Sequence, residues 1–237
     1  MDQKVILITG ASGGIGGAIS SLFSHENVKL ALHYNSNKVE LDESDDIAHF
    51  KADLTHEKEV VSLIDSVLKR FGRIDVLINN AGISNSAISW KTDSSLWRKT
   101  MAINLDAPFF LSKHIIPHFR SRSTGNIINV TSIVAQTGFV GTAAYSASKS
   151  GLIGLTKTLS KELISYGITV NALALGYFNV GMIEDVPDAL KEKIIESIPA
   201  DSLGNPETVF KTILWLISDE ANYVTGQTIN LNGGLYS

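Results

Sequence analysis

The 237-residue chain contains no cysteine, only five prolines and few aromatic residues. Without cysteine it has no disulfide, no thiolate nucleophile and no cysteine-ligated metal site. The net charge is −4 and no basic block occurs, so the electrostatic footprint of a nucleic-acid-binding protein is missing. No apolar run approaches the length of a membrane span. The hydrophobic content of 44% fits one globular domain.

The N-terminal residues run directly into an apolar strand pattern, without the pattern of a signal peptide. We therefore expect a cytoplasmic protein that has neither a nucleic-acid partner nor a membrane partner. His114 and His118 have a spacing that metal ligands can use, but Pro117 lies between them and no nearby acid completes a site. We expect no metal.

Short apolar segments alternate with amphipathic helical patterns along the whole chain. Strands are expected at residues 5–8, 29–33, 47–52, 75–78, 126–130, 168–174 and 227–231. The two longest helices are expected at residues 95–120 and 145–166. This alternation predicts a single α/β domain with a parallel, doubly wound sheet and helices on both of its faces.

A glycine-rich turn follows the first expected strand. It reads Thr9-Gly-Ala-Ser-Gly-Gly-Ile-Gly16, and a helical pattern begins directly after it. Glycines in this position let backbone N–H groups approach a phosphate at the N-terminus of a helix. The spacing departs from the usual dinucleotide fingerprint, so a purely structural turn stays open from the turn alone.

Tyr145 and Lys149 are four residues apart in an expected helix and therefore share a face. A phenol titrates near pH ~10, and a neighbouring positive charge lowers its pKa. Such a phenol can exchange a proton with an alcohol or ketone oxygen near neutral pH. Most tyrosine–lysine pairs of this spacing lie on a solvated helix surface. A catalytic role for this pair is supported by Ser132, which ends an apolar strand upstream.

Five motifs stand in the order that one known family shares. They are Thr9-Gly-x-x-x-Gly-x-Gly16, Asn79-Asn-Ala-Gly82, Asn104, Ser132 and Tyr145-x-x-x-Lys149. Together they resemble the short-chain dehydrogenase/reductases over essentially the whole chain. The ending, Tyr223-Val-Thr-Gly-Gln-Thr-Ile-Asn-Leu-Asn-Gly-Gly-Leu-Tyr236, further resembles the 3-oxoacyl-carrier-protein reductase branch. The resemblance implies a seven-stranded Rossmann fold and a nicotinamide cofactor.

The resemblance also implies roles for individual residues. Tyr145 is the general acid in ketone reduction, Ser132 binds the substrate oxygen, and Lys149 lowers the Tyr145 pKa and holds the nicotinamide ribose. Asn104 positions a water that links Lys149 to solvent. Residues implied to contact the cofactor are Gly10, Ser12, Gly14, Ile15, Gly16, Asp53, Leu54, Asn80, Ala81, Gly82, Gly176 and Phe178. From the residues alone, Asp53 could instead cap the next helix, and Asn104 could be a surface amide.

The chain departs from the family pattern at three places. Gly13 stands where many NADP-using relatives carry a basic residue. The segment from Asn171 to Gly176 lacks the usual proline, and Val180 replaces a threonine. Ser123 and Tyr166 stand where carrier-protein reductases place basic residues. Arg120 and Arg122 lie nearby and could substitute for them.

Cofactor choice follows from the residues after the second strand. An acid about 20 residues past the glycine turn binds the ribose 2′-hydroxyl and repels a 2′-phosphate. That position is Tyr34, and no acid occurs between Glu26 and Glu40. Asn35 and Ser36 can donate hydrogen bonds. We therefore expect NADP(H) to be preferred moderately, with NAD(H) possible.

The leading hypothesis is an NADPH-dependent reductase of a ketone, such as a 3-oxoacyl thioester, with an acyl carrier protein as a possible partner. The alternatives are a dehydrogenase of a sugar or other secondary alcohol, and a cofactor-sensing regulator without catalysis. Family resemblance also implies a homotetramer. Leu152, Leu155, Leu159 and the terminal Gly233–Tyr236 are plausible interface residues or, equally, core residues.

Overall fold

The computed structural model describes residues 3–184 and 186–237, except for the side chain of residue 182. Seven parallel strands form one sheet in the order β3-β2-β1-β4-β5-β6-β7. The strands are β1 Lys4–Ile8, β2 Val28–Tyr34, β3 Ile47–Lys51, β4 Val76–Asn79, β5 Gly125–Ser132, β6 Ile168–Leu175 and β7 Thr228–Leu231. The sequence-based strands differ from these only at their ends, and the Rossmann architecture is confirmed.

Helices cover both faces of the sheet. They are α1 Gly14–Phe23, α2 Glu57–Phe71, α3 Ser94–Met101, α4 Ala107–Arg122, α5 Val134–Thr137, α6 Ala143–Leu163, α7 Asp188–Ser197 and α8 Pro206–Leu216. Alternate residues of β1 point into different cores, because successive strand side chains face opposite ways. Val5 and Leu7 join the core under α2, α4 and α6, whereas Ile6 and Ile8 join the core under α1 and α8.

The order of the strands reverses at β1, which lies between β2 and β4. In an open parallel sheet, ligands bind in the crevice beyond the carboxyl ends of the strands at such a point. Gly10 follows β1 closely and Asn80 follows β4 directly. The topology therefore brings two of the sequence motifs to one crevice.

The long helix expected at residues 95–120 is interrupted. A π-helical segment, Ala102–Asp106, separates α3 from α4. Pro108 is accommodated in the first turn of α4, and Pro117 lies inside that helix. Segments of π-helix are rare and are often found at functional sites. This one carries Asn104.

The short helix α5 was not expected from the sequence. Within residues 3–184 and 186–237, no helix is long and apolar enough to cross a membrane.

Candidate active site

Three elements bring the predicted catalytic residues together. Strand β5 ends at Ser132, helix α6 carries Tyr145 and Lys149, and the π-helical segment carries Asn104. The Ser132 side chain is hydrogen-bonded to the Tyr145 side chain. Ser132 Oγ also accepts a hydrogen bond from the Val134 backbone at 3.4 Å. The two hydroxyl groups that were predicted to meet a substrate oxygen are thus neighbours.

The Tyr145 phenol is fully protonated at neutral pH. Burial raises its pKa above the ordinary value of 10.0, and the hydrogen bond from Ser132 offsets only part of this effect. The sequence argument predicted a lowered pKa because of Lys149. In the protein alone the direction is the opposite, since the loss of hydration outweighs the other influences on the phenol. A protonated phenol is the form that a general acid requires.

Lys149 is buried, with 3% of its surface exposed. Its Nζ donates a hydrogen bond to the Val130 carbonyl at 2.8 Å and lies 5.8 Å from the centroid of the Tyr145 ring. Burial lowers the pKa of this ammonium from 10.5 to about 8. Lys149 therefore still carries a positive charge at neutral pH, next to the ring of the proposed acid.

Asn104 is fully buried, so it is not a surface amide. Its Oδ1 accepts a hydrogen bond from the Ile83 backbone at 2.9 Å, and its Nδ2 donates to the Ile83 carbonyl at 2.9 Å and to Ser148 Oγ at 3.1 Å. Ser148 in turn donates to the Tyr145 carbonyl at 2.7 Å. Asn104 thereby ties the loop after β4 to helix α6, and its predicted water-positioning role stays a prediction.

Gly82 lies between Asn104 and Lys149. A Cβ atom added there would be 3.3 Å from both Asn104 Oδ1 and Lys149 Nζ. The Asn-Asn-Ala-Gly motif and the catalytic helix are therefore in direct contact.

Two glycines of the turn, Gly10 and Gly16, are packed so closely that neither has room for a side chain. Gly10 has a left-handed φ of 64°, and a Cβ there would be 2.8 Å from the Ala81 Cα. A Cβ at Gly16 would be 2.0 Å from the Gly10 carbonyl oxygen. Asn80 Nδ2 donates hydrogen bonds to the Thr9 and Gly10 carbonyls at 2.9 and 3.1 Å. Asn80 thus fastens the turn to β4.

The N-terminus of α1 fits a bound pyrophosphate. Its N-cap, Gly13, provides no side-chain cap, and the first turn contains no acid. The first N–H groups of a helix lack intrahelical partners, and the helix dipole favours an anion there. Ser12, Gly14 and Ile15 are all half-buried at this end of the helix. These residues can hold the phosphates of a dinucleotide.

The residues predicted to meet adenine are engaged within the protein. Asp53 Oδ1 accepts hydrogen bonds from the Thr55 backbone at 3.0 Å and from the Thr55 hydroxyl at 2.7 Å, which lower the pKa of the Asp53 carboxyl. The Leu54 side chain is buried in the core. Adenine contact by either residue stays a prediction. Asn35 and Ser36 are exposed beyond β2, where they are free to meet a ribose phosphate.

The nicotinamide end of the predicted site is formed by the loop after β6. Gly176 is required there, because a Cβ would lie 2.8 Å from the Asn232 Cα. The Phe178 ring is buried, and a Cβ at Gly204 would be 2.8 Å from it. The predicted carboxamide contact of Phe178 therefore stays a prediction, and its side chain serves the core.

Sequence reasoning assigned no role to three side chains that hold the site. Ser148 links Asn104 to α6, and Thr9 Oγ1 accepts hydrogen bonds from the backbones of Asn80 and Ala81 at 3.0 and 3.1 Å. His33 is buried against the glycine turn. A lone histidine in the apolar pattern of β2 was the available signal for it.

The two histidines considered as metal ligands have other contacts. His114 pairs with Glu57 at 2.8 Å, and His118 Nε2 accepts a hydrogen bond from the Ile74 backbone at 3.2 Å. Within the described part of the chain, no group of histidine and acidic side chains is arranged to hold a metal ion.

Comparison with known proteins identifies the family. A family model described as enoyl-(acyl carrier protein) reductase matches residues 10–236. The chain is 36% identical to a 3-oxoacyl-[acyl-carrier-protein] reductase of Thermotoga maritima, over 99% of this chain and 98% of that one. It is 38% identical to the protein of the same name from Staphylococcus epidermidis, over 99% of both chains.

An acetoacetyl-CoA reductase of Rhizobium meliloti is also 38% identical, again over 99% of both chains. These relatives cover the whole of the sheet and every motif that was assigned to the site. The chain therefore belongs to the short-chain dehydrogenase/reductase family, oxidoreductases that act on ketone and hydroxyl groups with a nicotinamide cofactor.

Proposed function

We propose that this protein reduces the ketone of a 3-oxoacyl thioester to a secondary alcohol and prefers NADPH. The observation that carries the proposal is the grouping of three side chains, with Ser132 beside the Tyr145 phenol and Lys149 Nζ 5.8 Å from the centroid of its ring. Relatives whose names specify reduction of a 3-oxoacyl or acetoacetyl thioester support the choice of substrate.

In this proposal the ketone oxygen receives hydrogen bonds from Ser132 and Tyr145. A nicotinamide cofactor held in the crevice would supply the hydride that the carbonyl carbon accepts. Tyr145 then gives its proton to the oxygen. Lys149, charged below its pKa of about 8, stabilises the phenolate that is left. Buried donors aimed at a developing oxyanion act strongly because water does not compete with them.

The cofactor would be held at both ends of the crevice. The pyrophosphate would bind at the α1 N-terminus, against Gly14 and Gly16. The central ribose region would be bordered by Asn80, Ala81 and Gly82. The nicotinamide ribose would be held by Lys149.

The names of the relatives favour reduction over oxidation of a sugar or other secondary alcohol, since they specify reductases of 3-oxoacyl and acetoacetyl thioesters. A cofactor-sensing regulator would have no need for the complete set of Ser132, Tyr145, Lys149 and Asn104.

The carrier of the acyl group is less constrained than the reaction. Arg122 is committed to Asp75, at 2.7 Å, and to the Ile74 carbonyl. Arg120 stacks on the Tyr166 ring, 4.2 Å from its centroid. Arg122 is therefore not freely available to a carrier protein, whereas Arg120 stays exposed beside the Tyr166 ring. We propose that coenzyme A thioesters are accepted as well as carrier-protein thioesters.

The test is an assay of NADPH consumption, followed at the nicotinamide absorbance band, with acetoacetyl-CoA and acetoacetyl-carrier protein as substrates. We expect turnover with both, and less than a few per cent of it by the Tyr145→Phe variant. The comparison substrates are crotonyl-CoA, whose reducible group is a carbon–carbon double bond, and a panel of sugars and secondary alcohols assayed with NADP⁺. Faster turnover of any of these would contradict the proposal.

Preference for NADPH rests on the exposed Asn35 and Ser36 and on the absence of an acid between Glu26 and Glu40. Because Gly13 supplies no arginine, the 2′-phosphate gains no charge-assisted bond from the turn. We expect kcat/KM to favour NADPH moderately on a single substrate. A ratio that favours NADH would show that another feature decides cofactor choice.

We also propose that the protein is a homotetramer working in the cytoplasm. Cell fractionation tests the compartment, and light scattering tests the assembly.

A further inference from the structure

His33 lies at the end of β2 with 2% of its surface exposed. Its Nδ1 accepts a hydrogen bond from the Gly10 N–H at 3.2 Å, and its Nε2 is 3.1 Å from the Ala52 carbonyl oxygen. The ring therefore joins the glycine turn after β1 to the end of β3. Ala52 is followed directly by Asp53, so both segments that are expected to meet the adenosine half of the cofactor are attached to one imidazole.

The partners of His33 fix its tautomer. A backbone N–H can only donate and a carbonyl can only accept. Nδ1 must therefore be the bare nitrogen, and Nε2 must carry the proton that is donated to Ala52. Burial lowers the pKa of His33, partly offset by the Ala52 carbonyl and the Asp53 carboxylate, which is consistent with a neutral ring.

The main chain of His33 reinforces the same connection. Its carbonyl accepts a hydrogen bond from the Ala11 N–H at 2.9 Å. Two successive N–H groups of the glycine turn are thus bound by one residue, one through the side chain and one through the backbone. Only the side-chain bond depends on the identity of the residue.

We propose that His33 is a positioning residue for the dinucleotide, whose imidazole holds the Gly10 turn in the conformation that receives the cofactor. Gly10 needs this support because it combines a φ of 64° with close packing on Ala81. Without an acceptor on residue 33, the Gly10 N–H would lose its partner within the protein, and the turn would be free to shift away from β2. The proposal rests on the family's use of a nicotinamide cofactor, and it does not depend on which ketone is reduced.

Two substitutions separate the contact from the bulk of the ring. His33→Leu removes the acceptor and keeps an apolar side chain in the space. His33→Asn keeps an acceptor, since Oδ1 of an asparagine can occupy the position of Nδ1. The matched control is His118→Leu, because His118 also accepts a backbone N–H, from Ile74, but at the amino end of β4.

The measurement is NADPH binding to the substrate-free protein by calorimetry, together with the melting temperature of each variant. We expect His33→Leu to weaken binding about tenfold, in the range of a lost buried hydrogen bond, and His33→Asn to bind within about threefold of wild type. His118→Leu should melt earlier and bind NADPH normally. Steady-state kinetics should show the His33→Leu loss in the KM for NADPH, with kcat nearly unchanged.

Unchanged binding by a folded His33→Leu protein would overturn the proposal. So would equal losses in His33→Leu and His33→Asn, because the ring and not the acceptor would then matter. If His33→Leu does not fold, His33→Asn decides alone, since the proposal requires it to fold and to bind. Failure of the protein to reduce any thioester would leave these binding results intact, so the two proposals fail separately.

Discussion

Tyr145 and Ser132 concentrate the proposed chemistry in two hydroxyl groups. Tyr145→Phe removes one oxygen and leaves the ring in place, so the packing around α6 should persist. We expect turnover to fall to below a few per cent of wild type, because loss of a general acid typically costs about 10²–10⁴-fold. NADPH binding, measured by calorimetry, should be nearly unchanged. Turnover above that level would show that Tyr145 is not the proton donor.

Lys149 makes a separate prediction about stability and pH. Its pKa is 10.5 when hydrated and about 8 in the fold. Between these values the unfolded chain binds more protons than the folded chain, so stability rises as the pH increases from about 8 towards 10.5. A change of one in pKa corresponds to about 1.36 kcal/mol, so the gain can reach about 3 kcal/mol.

Lys149→Met removes the titrating group and keeps the volume of the side chain. Urea unfolding of both proteins without cofactor should show that wild type gains stability relative to the variant across this interval. Below pH 8 the difference should be constant. A difference that stays flat up to pH 10 would mean that Lys149 is hydrated and not buried in solution.

At the level of elements, the glycine turn offers a matched pair of substitutions within α1. A Cβ at Gly16 would lie 2.0 Å from the Gly10 carbonyl oxygen and 2.4 Å from Asn80 Nδ2, whereas one at Gly17 meets nothing closer than 3.6 Å. Gly16→Ala should therefore push the helix away from the turn, destabilise the protein by about 1–3 kcal/mol and weaken NADPH binding.

Gly17→Ala is the control, since alanine in a helix interior is favoured over glycine by about 0.5–1 kcal/mol. It should raise the melting temperature slightly and leave binding unchanged. If both variants bind NADPH like wild type, the close packing at Gly16 has no bearing on the cofactor site.

The elements also explain which features sequence analysis could reach. Apolar runs such as Val5–Ile8 are local signals, so the strands and their alternation with helices were predictable. The π-helical segment around Asn104 was not, because residue spacing carries no signal for it and the partners of the Asn104 side chain, Ile83 and Ser148, are distant in sequence. The helical spacing of residues 95–120 looked continuous for this reason.

Among the site residues, too, some features were predictable from the sequence and others were not. Ser132, Tyr145 and Lys149 were found because their chemistry and spacing are visible in the sequence. The predicted direction of the Tyr145 pKa shift was wrong, because the burial of the phenol depends on the whole fold. His33 was missed because its partners, Gly10 and Ala52, follow β1 and β3, the two strands that flank β2 in the sheet. These segments come together only when the sheet forms.

On the scale of the whole molecule, assembly requires apolar surface outside the core. The leucines suggested as interface residues do not supply it: Leu152 and Leu159 are buried within the subunit, and Leu155 packs against the same core. The aromatic side chains that remain exposed on helices include Phe109 and Trp215. Phe109 on α4 is 44% exposed and Trp215 on α8 is 45% exposed.

These two residues lie on opposite layers of the sheet, since α4 packs on one core and α8 on the other. A tetramer with three mutually perpendicular twofold axes requires more than one kind of self-complementary contact. We expect Phe109 and Trp215 to lie in two different contacts between copies of this chain. A charge placed in either contact should split the tetramer into dimers that the other contact still holds.

The test is the mass in solution by light scattering at micromolar concentration. Wild type should be a tetramer, and Phe109→Glu and Trp215→Glu should each be dimers. Trp90→Glu is the control, because Trp90 is also an exposed aromatic residue but lies on a single 3₁₀ turn, Ser89–Lys91, in the connection before α3. It should stay tetrameric, since its position puts it on neither helix. Monomeric wild-type protein would refute the assembly, and loss of the tetramer in Trp90→Glu alone would put the contact at the loop.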